Sequence, residues 1–147
     1  MAHHNFIPLK NYRVIEHTAD LALSIQAPDL AGLFKNSASA IFEISTEKIN
    51  FYNQASPKKI SIKQQAATLE ELFINWLNEL LSLSSAKGLV FTNFKINKIS
   101  AGALDAVVTA EGSSGYKINK EIKAATYSGL KLQNSGNGWQ VEVILDV

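Results

Sequence analysis

Thr68-Leu69-Glu70-Glu71-Leu72-Phe73-Ile74-Asn75-Trp76-Leu77-Asn78-Glu79-Leu80-Leu81 is the stretch that decides the fold. Thr68 and Glu71 stand at capping-box spacing, so a helix starts here. Leu69, Leu72, Phe73, Trp76, Leu77, Leu80 and Leu81 recur at the helical interval and form one apolar stripe. Lys87-Gly88 closes the helix: the lysine suits the negative end of the dipole, and glycine tolerates a left-handed cap. Glu70, Asn75, Asn78 and Glu79 fall off the stripe and read as the solvated face.

Upstream lies a second helix with its own signals. Pro28-Asp29 ends a strand, Asp29 is a good N-cap, and Leu30, Leu33, Phe34, Ala38, Ile41 and Phe42 share a stripe that runs to about Ser45. Between the two helices, Thr46 to Pro57 is irregular, and Lys58 to Gln64 alternates as a strand with Ile60 and Ile62 inward. The paired Lys58-Lys59 reads as a strand edge or solvated face. Before the first helix, Tyr12 to Ile15 and Leu21 to Gln26 are strand-like. After Gly88 only strands are expected: Val90 to Ile99, Leu104 to Ala110, Tyr116 to Thr126, Leu130 to Gln133 and Trp139 onward. Asn134-Ser135-Gly136-Asn137-Gly138 is a hairpin connection. The expected class is α+β, a mainly antiparallel curved sheet system with two amphipathic helices packed on it. A chain of 147 residues fits one domain at 12–147, preceded by a flexible segment at 1–11.

Composition narrows the chemistry. There is no cysteine, which excludes disulfides, thiolate catalysis and the usual structural zinc sites. A formal net charge of +1 gives no overall field to draw nucleic acid or a membrane. No long apolar run and no signal-peptide pattern are present, which places the protein in the cytoplasm as an expectation. Gly112-Ser113-Ser114-Gly115 lacks the lysine and following helix of a phosphate loop.

The residues with chemistry are acids and a lysine. Glu16-His17-Thr18-Ala19-Asp20 joins the first two strands, and taken by itself a tight turn ordered by Thr18 and Asp20 is its plainer account; a second acid at the far end of the chain favours a site. Asp146 stands next to the last residue, Val147. If the two ends of the domain approach, Asp20, Asp146 and the terminal carboxylate of Val147 converge as hard oxygen donors. Such donors suit calcium, magnesium or manganese. Lys123 would neutralise part of this cluster or hold an anion, although an ordinary surface pair with Asp146 is the plainer alternative.

Three segments in order, Glu16 to Asp20, Ile122-Lys123-Ala124-Ala125-Thr126-Tyr127 and Gly138 to Val147, resemble the archease family. The helices beginning at Leu30 and Leu69 stand where that family has its two helices. The resemblance implies an accessory protein, not an enzyme, that activates an RtcB-type RNA ligase of tRNA splicing and RNA repair. It would promote guanylylation of the ligase with GTP and so multiple turnover. The family's essential positions fall on Asp20, Lys123 and Asp146, its metal site on Asp20, Asp146 and Val147, and His17 is a supporting candidate. RNA and GTP would be met only indirectly, through the ligase. Two departures stand out: Ser128 replaces a His that commonly follows the Thr-Tyr pair, and Ala22 replaces a Gly. The alternatives are a metal-dependent hydrolase, with two carboxylates and a cation activating water, and a chaperone or modifier of RNA-processing enzymes.

Overall fold

The capped helix forms as its sequence demands. In the computed structural model, helix α2 runs Leu69–Lys87, and the Glu71 backbone N–H donates to Thr68 Oγ1 at 3.1 Å. The Glu71 carboxylate accepts from the backbone N–H of Ala67 at 2.8 Å, one residue before the cap, so the reciprocal half of the box is displaced by one position. Gly88 closes the helix at φ 63°, in the left-handed region. Helix α1 spans Leu30–Ser45, and Asp29 accepts from the Gly32 N–H at 2.7 Å. Trp76 is fully buried, and its indole N–H donates to the Phe34 carbonyl at 2.9 Å. This bond ties α2 to α1 and satisfies the one polar atom that burying a tryptophan would otherwise strand.

The structure describes residues 11–16, 20–50 and 56–147. Among them the strands are β1 Tyr12–Glu16, β2 Asp20–Ala27, β3 Thr46–Lys48, β4 Lys58–Gln65, β5 Leu89–Ile99, β6 Ala103–Gly112, β7 Tyr116–Ile118, β8 Ala124–Asn134 and β9 Trp139–Asp146. They divide into a four-stranded sheet of order β1-β2-β9-β8, a three-stranded sheet of order β4-β6-β5 and a β3-β7 ribbon. Every pairing is antiparallel. Both helices touch both larger sheets, α1 against β2, β9 and β5, and α2 against β8, β5 and β4. The helix pair therefore lies between the sheets. The core fills that space with Leu23, Ile25 and Val143 from one side, Phe94 and Val108 from the other, and Phe34, Phe73 and Trp76 between.

The α+β class of the sequence stands. Two details differ from the expectation. Tyr116 to Thr126 is not one strand: β7 stops at Ile118, and the N–H groups of Asn119 and Lys120 turn to the Ser45 carbonyl at 2.8 and 3.3 Å. The chain re-enters a sheet at β8, which continues through a bulge between Thr126 and Lys131, where Gly129 has φ 70°. The irregular stretch after α1 opens with a short strand, β3, which needed β7 as its partner.

The hairpin from β8 to β9 closes with Ser135 N–H on the Gly138 carbonyl at 2.9 Å. Gly138 has φ 148°, and a Cβ there would stand 2.7 Å from the Ala27 carbonyl oxygen. Only glycine fits so close an approach of two backbones.

Candidate functional site: an acid pair and a lysine at one end of the four-stranded sheet

Strand register builds the site. β2 and β9 are neighbours at the centre of the four-stranded sheet, and Asp20 stands directly opposite Asp146. On the other flank of β9, Asp146 stands opposite Ala124. Alternation puts Leu21, Leu145 and Ala125 toward the helices, where all three are buried. Asp20 and Asp146 therefore project together from the opposite face, at the sheet's end, and both are exposed. Like charges directly opposite on neighbouring strands destabilise the pair. Neither carboxylate accepts a hydrogen bond from a described residue.

The expected approach of the two chain ends takes a particular form. Asp20 and Asp146 do meet, but Tyr12 pairs with Ile25, near the other end of β2. An antiparallel hairpin returns the start of β1 a full strand length away. It is the close of β1, at Glu16, that lies beside the acid pair. His17 and the rest of the 17–19 connection lie outside the described residues.

Lys123 sits immediately before β8. Its backbone N–H donates to the Asp146 carbonyl at 2.8 Å, so its main chain is fixed to the acid strand. Its side chain is exposed and forms no ion pair with either acid among the described residues. Lys123 also lines an open groove of about 910 Å³ beside the C-terminal half of α2, with Asn78, Ser82, Lys120 and Ile122. Asp20 and Asp146 do not line it. The acid pair and the groove thus open on two sides of one sheet end, and Lys123 belongs to both.

One positioning residue escaped the sequence reading. Asn78 falls off the apolar stripe of α2, and such residues usually face water. Its side chain instead clasps the backbone of Ala125: the Ala125 N–H donates to Oδ1 at 2.7 Å, and Nδ2 donates to the Ala125 carbonyl at 3.1 Å. Ala125 is two residues beyond Lys123. The segment that carries the lysine is held by β9 on one side and by α2 on the other. Nothing local to α2 distinguishes Asn78 from its solvated neighbours, because its partner is 47 residues away.

Ser128 lies in the exposed β8 bulge, beside Tyr127. Among the described residues the one marked perturbation of acidity is elsewhere. Burial, with help from a hydrogen bond to Glu111 at 3.1 Å, pushes the Tyr116 phenol up to about 12. Glu111 also pairs with Lys48 at 3.0 Å, so this group braces the β3-β7 ribbon. Among the described residues no three His, Cys, Asp or Glu side chains gather as a metal cluster. No described helix is long and apolar enough to cross a membrane.

The comparisons agree with this architecture. The chain is 31% identical over 146 residues to the protein archease of Methanosarcina mazei, covering 94% of this chain and 97% of that one. It is 28% identical over 148 residues to that of Sulfurisphaera tokodaii, covering 95% and 100%. The solution structure of Methanobacterium thermoautotrophicum protein 1598 superposes with a TM-score of 0.71 at 26% identity, covering 95% of this chain and all of that one. A Thermotoga maritima crystal structure, described as an archease and possible chaperone, shares the fold at a TM-score of 0.59 and 24% identity, covering 99% and 100%. The sequence model of the archease protein family (MTH1598/TM1083) matches residues 12–147, and this chain belongs to that family.

Proposed function

We propose that this protein is an accessory factor that activates an RtcB-type RNA ligase, promoting its guanylylation with GTP and so its repeated turnover. The observation that carries the reading is the register that sets Asp20 opposite Asp146, with Lys123 bonded through its backbone to Asp146. The three residues on which the family resemblance falls come from distant parts of the chain and meet at one end of a sheet. In this reading the protein reaches GTP and RNA at that end through the ligase.

A divalent cation fits the donors. Two exposed carboxylates face each other with no described protein donor to occupy their oxygens, and this favours a hard cation over mutual repulsion. Asp20, Asp146 and Val147 would hold it, with calcium, magnesium and manganese as the candidate metals. When bound it would neutralise the acids and supply positive charge for a triphosphate. Lys123 adds a donor for a phosphate oxygen. Nucleotidyl transfer depends on placing and neutralising the triphosphate, and an activator that contributes charge from outside the ligase acts on that step. The test is ligase–GMP formation and multiple-turnover ligation by the ligase of the same source, with and without this protein. No stimulation by the wild-type protein overturns the reading, and RNA or nucleotide turnover by the isolated protein would replace it with a metal-dependent hydrolase.

A further inference from the structure

The solvent face of the three-stranded sheet carries a second, opposite pattern of charge. On β4, Lys59, Ser61 and Lys63 point outward, while Ile60 and Ile62 point in. Their partners on β6 are Thr109, Val107 and Asp105. Across β6 from these stand Asn93, Lys95 and Lys98 of β5, the last reached through a bulge between Ile96 and Lys98. Three cross-strand rows result: Lys59–Thr109–Asn93, Ser61–Val107–Lys95 and Lys63–Asp105–Lys98. Lys59, Lys63, Lys95 and Lys98 are all exposed. None forms an ion pair with a described residue, not even with Asp105, which stands between Lys63 and Lys98.

We infer that this lysine face binds the phosphate backbone of duplex RNA independently of sequence. The assignment to RNA, as against DNA, rests on the ligase reading above; the assignment to a phosphate backbone rests on the face itself. The ammonium groups spring from an area about 10 Å across the strands, about 13 Å long on the β4 side and about half that on the β5 side, by ordinary sheet spacing. Such a spread suits an extended polyanion and is too wide to close on one small anion. Beside the lysines lie Ser61, Thr109 and Asn93, neutral groups able to bond phosphate and 2′-hydroxyl oxygens, and on the middle strand Val107 and the one acid of the face, Asp105. The face has no aromatic side chain and no arginine, so it offers neither a base-stacking platform nor the anchors of protein interfaces. The exposed large apolar residues among those described, Val14, Ile49, Ile118 and Tyr127, all lie outside this sheet, which argues against a membrane interface here. The chain's net charge of +1 hides this local excess, because acids elsewhere cancel it. A direct contact of this kind adds to the route through the ligase.

The test is fluorescence anisotropy of the full chain with a labelled RNA duplex of about 16 base pairs, without ligase, from 50 to 200 mM salt. A non-specific backbone contact has a Kd of roughly 10⁻⁴–10⁻⁶ M, and about four released counterions weaken it about a hundredfold across that range. Lys59→Gln, Lys63→Gln, Lys95→Gln and Lys98→Gln combined are expected to weaken binding at least tenfold and to flatten the salt slope. Lys35→Gln, Lys87→Gln, Lys117→Gln and Lys131→Gln combined remove the same charge elsewhere, and are expected to change affinity by less than about threefold. Absence of wild-type binding at 50 mM salt, or equal losses in the two variants, overturns the inference. Equal affinity for a DNA duplex of the same sequence overturns the assignment to RNA, and tighter binding of polyglutamate than of RNA assigns the face to an acidic protein instead. Ligase guanylylation is not measured here, so failure of this face leaves the activator reading to its own test.

Discussion

The two sheets of this protein display charge in opposite ways. In the four-stranded sheet, register puts two like charges directly opposite each other, Asp20 against Asp146. In the three-stranded sheet, four lysines spread over the outer strands, and the middle strand between them carries Thr109, Val107 and a single acid, Asp105. Both faces are exposed, and neither set has satisfied its charge within the described chain. Density separates them. Adjacent carboxylates concentrate negative potential at a point, which rewards a compact divalent ion. Dispersed ammonium groups make a broad, weak field, which rewards a long polyanion and loses to salt. The same strand geometry serves both ends.

The widest separation of the two regions should appear in ligase activation. Asp20→Ala, Lys123→Ala and Asp146→Ala are each expected to reduce stimulation of ligase–GMP formation at least a hundredfold, to near the unassisted rate. Their melting temperatures should stay within a few degrees of wild type, because none of these side chains fills the core. The fourfold lysine-face variant should stimulate guanylylation normally when RNA is omitted. If it fails there as well, the two faces do not act separately.

Cation affinity comes next. Isothermal titration with calcium, magnesium and manganese should show weak binding by the wild type, because few protein ligands leave water to complete the shell. Asp146→Asn should weaken it about tenfold or more. Undiminished binding by that variant would remove the metal from the acid end.

Asn78→Ala tests how the acid end is held. It strips two hydrogen bonds from the backbone of Ala125. The loss should be about 2–3 kcal/mol and lower the melting temperature by about 5–10 °C. Activation should fall about tenfold through displacement of Lys123, while RNA binding by the lysine face persists. Asn78→Asp keeps the acceptor for the Ala125 N–H and should recover part of both losses. Equal loss of activation and RNA binding would mean simple unfolding.

The smallest effects concern pH and repulsion. The Tyr116 phenol is raised by burial from 10.0 to about 12, so its stabilising contribution is complete below pH 10 and is lost as pH rises through 12. Ultraviolet titration should show a late phenol step that Tyr116→Phe removes. Because this ribbon belongs to neither charged face, the substitution should leave activation and RNA binding alone. Asp146→Asn, measured without metal, should raise the melting temperature by about 1–3 °C by relieving the cross-strand repulsion.

Local signals carried much of this architecture. Thr68, Asp29 and Gly88 mark helix ends through bonds and dihedrals reaching only a few residues, and all three act as their identities suggest. The stripes of both helices announced Phe34, Trp76 and their neighbours as core. What stayed hidden depends on distant partners. The β3-β7 ribbon joins residues about seventy apart, and the break after Ile118 follows from the reach of Asn119 and Lys120 back to Ser45. At the site, family motifs pointed to Asp20, Lys123 and Asp146, but only strand register places the acids opposite each other. The lysine face was illegible for a similar reason. Lys58-Lys59 reads as a strand edge or solvated face, and only β6 brings Lys59 and Lys98 onto one sheet.

Gly138 has a further consequence. Its tight approach to Ala27 sits where Ala27 pairs with Trp139, at the opposite end of the β2-β9 ladder from Asp20 and Asp146. A ladder propagates its alignment without correction, and a slip of one residue would turn Asp146 inward and Leu145 out. The hairpin therefore acts as an indexing pin: a contact only backbone atoms can make, seven positions away, decides which way the last acid faces. Lengthening that turn would leave every residue of the acid end in the sequence and still dismantle it.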